Sequence, residues 1–334
     1  MAVLWLLLLA GLPTFLLGLF VWAVAKHFLT AEVPSSLQHP IKFRVMHCMT
    51  LLMVGLMYHS LCSFLVQETD SVLLSVGYRK LPDYHYPVIF KDCLNAAIQF
   101  LKGLEKYGVD PSRVILCGES IGGWAVATTI QVLVSSPSLP QVRAQVLITP
   151  IVQTINFRLP SHQQNKNVPF LTRDIMLMCL CKYLAIDHSW KDAILTGAVI
   201  PLDKWEKYRK WLSSDNIPRQ FWSSDSEPEF LGCFNEVAYL ETKQIFDVHI
   251  SPILADDKIF AQLPEVFLVS CENDILRDDA LLYKKRLEDH GVPVTWYHVE
   301  DGFHGCILLF DKKFFSFPCS MKIVNTVISY IKNI

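Results

Sequence analysis

"RVILCGESIGGWAVATTIQVLV", residues 113–134, decides the fold. Its first part, Arg113–Glu119, is a short apolar run rich in β-formers, and its last part, Ser120–Val134, has the length and composition of a buried helix. Between them stands Gly118-x-Ser120-x-Gly122. A Gly-x-Ser-x-Gly between a strand and a helix is a nucleophile elbow, in which the serine occupies a sharp, strained turn and its neighbours must be small. The helix that begins there offers free N–H groups and a positive dipole end to a developing oxyanion. The backbone N–H of Ile121 is the first such donor. The pentapeptide alone carries little information, because it arises by chance. Its place between a strand and a helix gives it weight.

A serine nucleophile needs a base, and the base needs an orienting acid. "VEDGFHGC" puts His304 in a loop after the last strand-like run, between Gly302 and Gly305, which favour an exposed functional loop. His298 competes but lies inside the strand pattern Val294–Glu300 and reads as packing. For the acid, "SCENDILRDD" offers Glu272, Asp274, Asp278 and Asp279. Asp274 closes a strand, where catalytic groups gather in open α/β sheets. Asp278 and Asp279 read as helix N-terminal residues with a capping role. The expected catalytic set is therefore Ser120 as nucleophile, His304 as general base and then acid, and Asp274 holding the imidazole tautomer.

From Ser71 onward short β-rich runs alternate with longer helical ones. Expected strands are Ser71–Tyr78, Arg113–Glu119, Ala144–Val152, Glu265–Asp274 and Val294–Glu300. Expected helices are Asp92–Gly108, Ser120–Val134, Asp278–Gly291 and Ser320–Ile334. Alternation of this kind implies an α/β fold with a mainly parallel sheet and right-handed crossovers. Residues 153–255, rich in Trp, Asn, Pro and Lys, read as a helical cap inserted into an α/β domain that spans 67–334.

The net charge of −2 over 334 residues suggests no basic face, so nucleic acid is not an expected partner. The cysteines include no CxxC pair, so zinc spacing is absent and neither a metal nor a cofactor is expected. Cys179 and Cys181 should face opposite sides of a helix. The ten cysteines permit disulfides without demanding them. Charged residues make up only 19% of the chain, and residues 1–25 carry no charge at all, long enough to span a bilayer. Ala23-Val24-Ala25 would suit signal cleavage, but there is no basic n-region and the run is long, so an uncleaved anchor is the expectation. Residues 26–66 form a linker whose stretch 45–66 is uncharged but interrupted by His47, His59, Ser60, Cys62 and Ser63. It reads as a buried or interfacial helix rather than a second span. Lys26, His27, Lys42 and Arg44 after the first run would place the body in the cytoplasm.

"GESIGGWAVA", "VGYRKLPDYHYP", "GVDPSRV", "ENDILRDD" and "DGFHG" resemble the arylacetamide deacetylase-like branch of the hormone-sensitive-lipase group of α/β-hydrolases. The resemblance runs from Tyr58 to Ile334 and extends to "LQHPIKFRVMHC". It implies an α/β-hydrolase fold and a membrane-anchored serine esterase or deacetylase with a lipophilic ester or amide substrate. It also implies an endoplasmic-reticulum location with a lumenal catalytic domain, against the orientation suggested by the flanking charges. One departure matters. That branch carries a His-Gly-Gly-Gly motif ending the strand before Ser71–Tyr78, and here none of His27, His39, His47 and His59 is followed by glycine. A block is missing around Gly55–Tyr58, so the N-terminal part of the sheet is expected to be truncated. Ile121 is then left as an oxyanion donor without the glycine-loop donors. A catalytically impaired or inactive hydrolase-fold protein is the alternative reading.

Overall fold

The computed structural model describes residues 58–222, 232–311 and 316–334. The helix α1 covers 58–69, and α2 covers Val88–Lys102. Strand β1 (Ile115–Glu119) leads into α3 (Ile121–Leu133), and β2 (Ala144–Ile148) follows. Short helices then run to residue 260: α4 (Pro160–Gln164), α5 (Arg173–Leu184), α6 (Lys191–Leu195), α7 (Leu202–Leu212), α8 (Glu236–Thr242) and α9 (Asp257–Phe260). The chain closes with β3 (Glu265–Asn273), α10 (Arg277–Asp289), β4 (Val294–Phe303) and α11 (Pro318–Lys332).

The four strands form one parallel sheet in the order β1-β2-β3-β4. β2 is buried at every residue because helices cover both faces of the sheet. Successive side chains divide between the two faces. Leu147, Val266 and Leu268 join the larger core with α3 and α10, whereas Val146, Ile148, Phe267 and Val269 join a second core with α1 and α11. This explains why the strands read as continuous apolar runs.

One expected strand does not form. Residues 71–78 pair with no strand, and Val72 and Leu74 are more than half exposed. β1 pairs only with β2 among the described residues. A strand is stabilised by its ladder and by a covered face, and residues 71–78 have neither here. Among the described residues β1, which carries the elbow, is therefore an edge strand.

The apolar stretch 45–66 is described only from residue 58. From there it is helical and packed, with Leu61 and Leu65 in the second core and Phe64 against Phe310 at 5.1 Å between ring centroids. Among the described residues no helix is long and apolar enough to cross a membrane. The expected anchor, residues 1–25, lies outside the described residues. On α5, Cys181 is buried and Cys179 exposed, as their spacing required, and the described cysteines are free thiols.

Candidate active site

Ser120 sits between β1 and α3 with φ 54° and ψ −117°. A non-glycine residue is strained there. Neighbouring bonds hold it in place. Its N–H donates to the Ile148 carbonyl (2.9 Å), prolonging the β1–β2 ladder, and its carbonyl accepts from Trp124 N–H (3.1 Å), opening the helix. The glycines divide the steric demand differently from the motif reading. A Cβ on Gly118 would lie 2.2 Å from the Gly122 carbonyl group, and one on Gly123 would lie 2.8 Å from Pro150 Cβ. A Cβ on Gly122 would meet nothing within 4 Å. The crowded positions of the elbow are thus Gly118 and Gly123, and Gly122 faces open space. Gly118→Ala should therefore yield little folded protein, whereas Gly122→Ala should express with an unchanged circular dichroism melt. Equal yields of the two variants would contradict this division.

His304 follows the end of β4. Gly302 does not serve exposure: it is buried, and a Cβ there would lie 2.6 Å from Cys271 Sγ. It lets β4 close onto β3 where the register shifts between Cys271 and Asn273. Gly305 has φ 75°, a left-handed turn natural to glycine. Asp274 is the first residue after β3 and its side chain is fully buried. Its Oδ1 accepts from Leu276 N–H (2.9 Å), and its backbone carbonyl accepts from Asn165 Nδ2 (3.0 Å).

The structure brings the three side chains into one relay. His304 Nδ1 donates to Asp274 Oδ2 at 2.9 Å, which leaves Nε2 to accept from the Ser120 hydroxyl, also at 2.9 Å. The His304 side chain is 12% exposed. Burial opposes its protonation, but the Asp274 carboxylate and Glu119 outweigh burial and hold its pKa above the ordinary histidine value.

The competing residues are engaged elsewhere. His298 Nε2 donates to Glu272 Oε2 (3.0 Å) and its Nδ1 accepts from Ser270 Oγ (3.0 Å). Glu272 also receives Arg277 Nη1 (2.7 Å). Asp278 and Asp279 do not cap: α10 has no side-chain cap bond, and both residues are fully buried. Asp278 accepts from Ser161 N–H (2.6 Å) and Arg277 Nε (2.8 Å), and Asp279 accepts from His162 Nε2 (2.7 Å). These bonds clasp α4 to α10, the helix that follows Asp274. Sequence spacing gave no signal for them, because the partners lie 117 residues apart.

A further carboxylate borders the relay. Glu119, buried, receives the Tyr58 hydroxyl at 2.9 Å. Burial first, with the Asp274 charge adding to it, pushes the Glu119 carboxyl up to about 7 against the opposing His304 charge and the Tyr58 hydrogen bond. A carboxyl with a folded pKa above its unfolded value binds more protons in the folded state, so its contribution is lost as pH rises from the ordinary glutamate range through about 7. The urea midpoint of the wild type should fall over that window relative to Glu119→Gln. Parallel curves would overturn the assignment.

For the oxyanion, the N–H groups of Ile121, Gly122 and Gly123 belong to the first turn of α3, where no intrahelical partner exists and no side chain caps them. They stand at the helix end that favours negative charge. The described residues contain no glycine loop facing them.

A parallel sheet with a strand–serine–helix elbow, an acid after one strand and a histidine after the next defines an α/β-hydrolase. Residues 51–212 and 226–308 match the family model of the alpha/beta hydrolase fold. Human arylacetamide deacetylase-like 4 is 52% identical over the whole of both chains, and neutral cholesterol ester hydrolase 1 of Pongo abelii is 34% identical over 82% of this chain and 68% of its own. Among solved structures, carboxyl esterase 2 of Tuber melanosporum superposes with a TM-score of 0.59 over 83% of this chain and 72% of its own, at 21% identity. The chain belongs to the arylacetamide deacetylase-like family of α/β-hydrolases. By that family resemblance it is a carboxylic ester hydrolase. The alignment with the human relative runs over 407 positions against 334 residues here, so about 73 of its positions (407 − 334) have no counterpart in this chain.

Proposed function

We propose that this chain is a membrane-anchored serine hydrolase of the carboxylesterase or deacetylase type, acting on lipophilic esters or amides through Ser120, His304 and Asp274. The hydrogen-bonded relay from Asp274 through His304 to the strained Ser120 carries this reading. Ser120 Oγ attacks the acyl carbon while His304 Nε2 takes the hydroxyl proton. The Asp274 carboxylate stabilises the resulting imidazolium, and the N–H of Ile121 donates to the oxyanion. His304 then protonates the leaving group; in the second half His304 takes a proton from water as its oxygen attacks the acyl carbon, and returns that proton to Ser120 Oγ as the Oγ–acyl bond breaks and the acid departs. The helical segment between β2 and β3 serves as the cap over the acyl site. The name neutral cholesterol ester hydrolase, borne by a relative, accords with a lipophilic ester substrate. Residues 1–25 act as the anchor, with the catalytic domain in the lumen of the endoplasmic reticulum. Two results test these points. A fluorophosphonate should label the folded protein at Ser120, and absence of labelling would sink the triad. Membranes should retain the full chain in alkaline carbonate but release a chain starting at residue 26.

A second reading, reduced turnover, is favoured by one observation: among the described residues Ile121 and its helical neighbours face no second set of donors. Loss of one oxyanion donor slows acyl transfer by about 10²–10³. The expected result is a kcat for p-nitrophenyl butyrate at least about 10²-fold below that of the human relative assayed in parallel. Equal kcat values would remove this reading.

A further inference from the structure

Glu119 lies between α1 and the relay. It is 8% exposed, directly precedes Ser120 and accepts the Tyr58 hydroxyl at 2.9 Å. Tyr58 stands in the first described turn of α1, which is seated in the second core by Leu61 and Leu65. Phe64 of the same helix packs on Phe310, the residue that closes the turn after His304. One helix therefore holds Glu119 and braces the loop that carries the base.

The titratable groups coupled to Glu119 are His304 and Asp274 across the site, Tyr58 from α1, Cys117 of β1 and Cys271 of β3. Of these only His304 can become cationic at neutral pH. Burial keeps the Tyr58 hydroxyl protonated and therefore a donor. Above about pH 7, where the Glu119 carboxyl is ionised, the charge that forms when Ser120 loses its proton to His304 faces two carboxylates, one bonded to Nδ1 and one acting through space. In a water-poor site such a charge acts strongly.

We propose that Glu119, oriented by the Tyr58 hydroxyl, is a positioning residue of the reaction: a second carboxylate that stabilises the His304 imidazolium alongside Asp274. This rests on the triad reading above.

The test is the titration of the His304 ring followed by NMR in the wild type, Glu119→Gln and Tyr58→Phe, with the resonance assigned by its absence in His304→Asn. Removing the negative charge should lower the His304 midpoint by on the order of one pH unit in Glu119→Gln. Tyr58→Phe should move it in the same direction but less, because the carboxylate remains and only its orienting donor is lost. A merely structural role would alter stability and leave the midpoint where it was, so equal midpoints in wild type and the variants overturn the proposal. If Glu119→Gln fails to fold, Tyr58→Phe alone decides between the same two outcomes. Fluorophosphonate labelling, run beside it, separates the two readings. Labelled Ser120 with unshifted midpoints removes Glu119 from the mechanism. Shifted midpoints without labelling remove the nucleophile and leave the electrostatic coupling intact.

Discussion

Ser120→Ala should abolish fluorophosphonate labelling and lower ester hydrolysis by at least about 10³-fold, with no loss of fold. The size of the effect follows from the chemistry. Without Oγ there is no acyl intermediate, and the remaining groups can only bind substrate and polarise its carbonyl. The fold survives because the bonds that hold residue 120 belong to the backbone: its N–H to Ile148 and its carbonyl from Trp124 N–H. Only the bond to His304 Nε2 is removed, and a single hydrogen bond contributes about 1 kcal/mol net. Activity, labelling and a thermal melt measured on one preparation check the claim. Hydrolysis that persists in Ser120→Ala would place the nucleophile elsewhere.

The second large effect is on stability. Asp278→Ala should cost about 3–5 kcal/mol and lower Tm by on the order of 10 °C, because it strands buried charge. Asp278 is fully buried and accepts from the Ser161 N–H and from Arg277 Nε, and Arg277 is itself only 1% exposed. Removing the carboxylate leaves a buried N–H without an acceptor and a buried guanidinium with less counter-charge. Arg277 keeps Glu272 and the Phe221 carbonyl, which limits the loss. The matched control is Asp174→Ala. Asp174 also meets a cation, Lys191, at 2.7 Å, but its side chain is 75% exposed. An ion pair in water contributes about 0–1 kcal/mol, so that variant should melt like the wild type. Thermal melts of the two variants compare the cases directly. Similar shifts would show that burial does not set the cost.

The two effects differ in how far the sequence announced them. Ser120, Asp274 and His304, in that chain order, each follow an apolar run, and sequence reasoning placed them together because parallel strands deliver their C-terminal ends to one edge of the sheet. Asp278 and Asp279 stood in the same quoted stretch and were read as helix caps. Their partners lie in a segment with no strand pattern, and only packing brings α4 onto α10. Glu119 was passed over for a similar reason: its donor is 61 residues away on a helix whose apolar composition suggested an interface. Gly122 shows the reverse case, a motif position whose steric role passes to Gly123 once Pro150 is in place.

By itself the sequence determined the fold class and the Gly-x-Ser-x-Gly elbow, set Ser120, Asp274 and His304 each after an apolar run, and carried no His-Gly-Gly-Gly stretch. These are local patterns or absences: apolar runs of strand length, glycine beside serine, a histidine in a turn. The tertiary structure decided what pairs across the chain. It left residues 71–78 without a ladder, because a strand needs a neighbour that periodicity cannot supply. Among the described residues it made β1 an edge strand, tied Asp278 to Ser161 and Asp279 to His162 on the helix that follows Asp274, and set Tyr58 against Glu119, the residue before Ser120. Burial and charge depend on distances between residues far apart in the chain, and those distances exist only after folding.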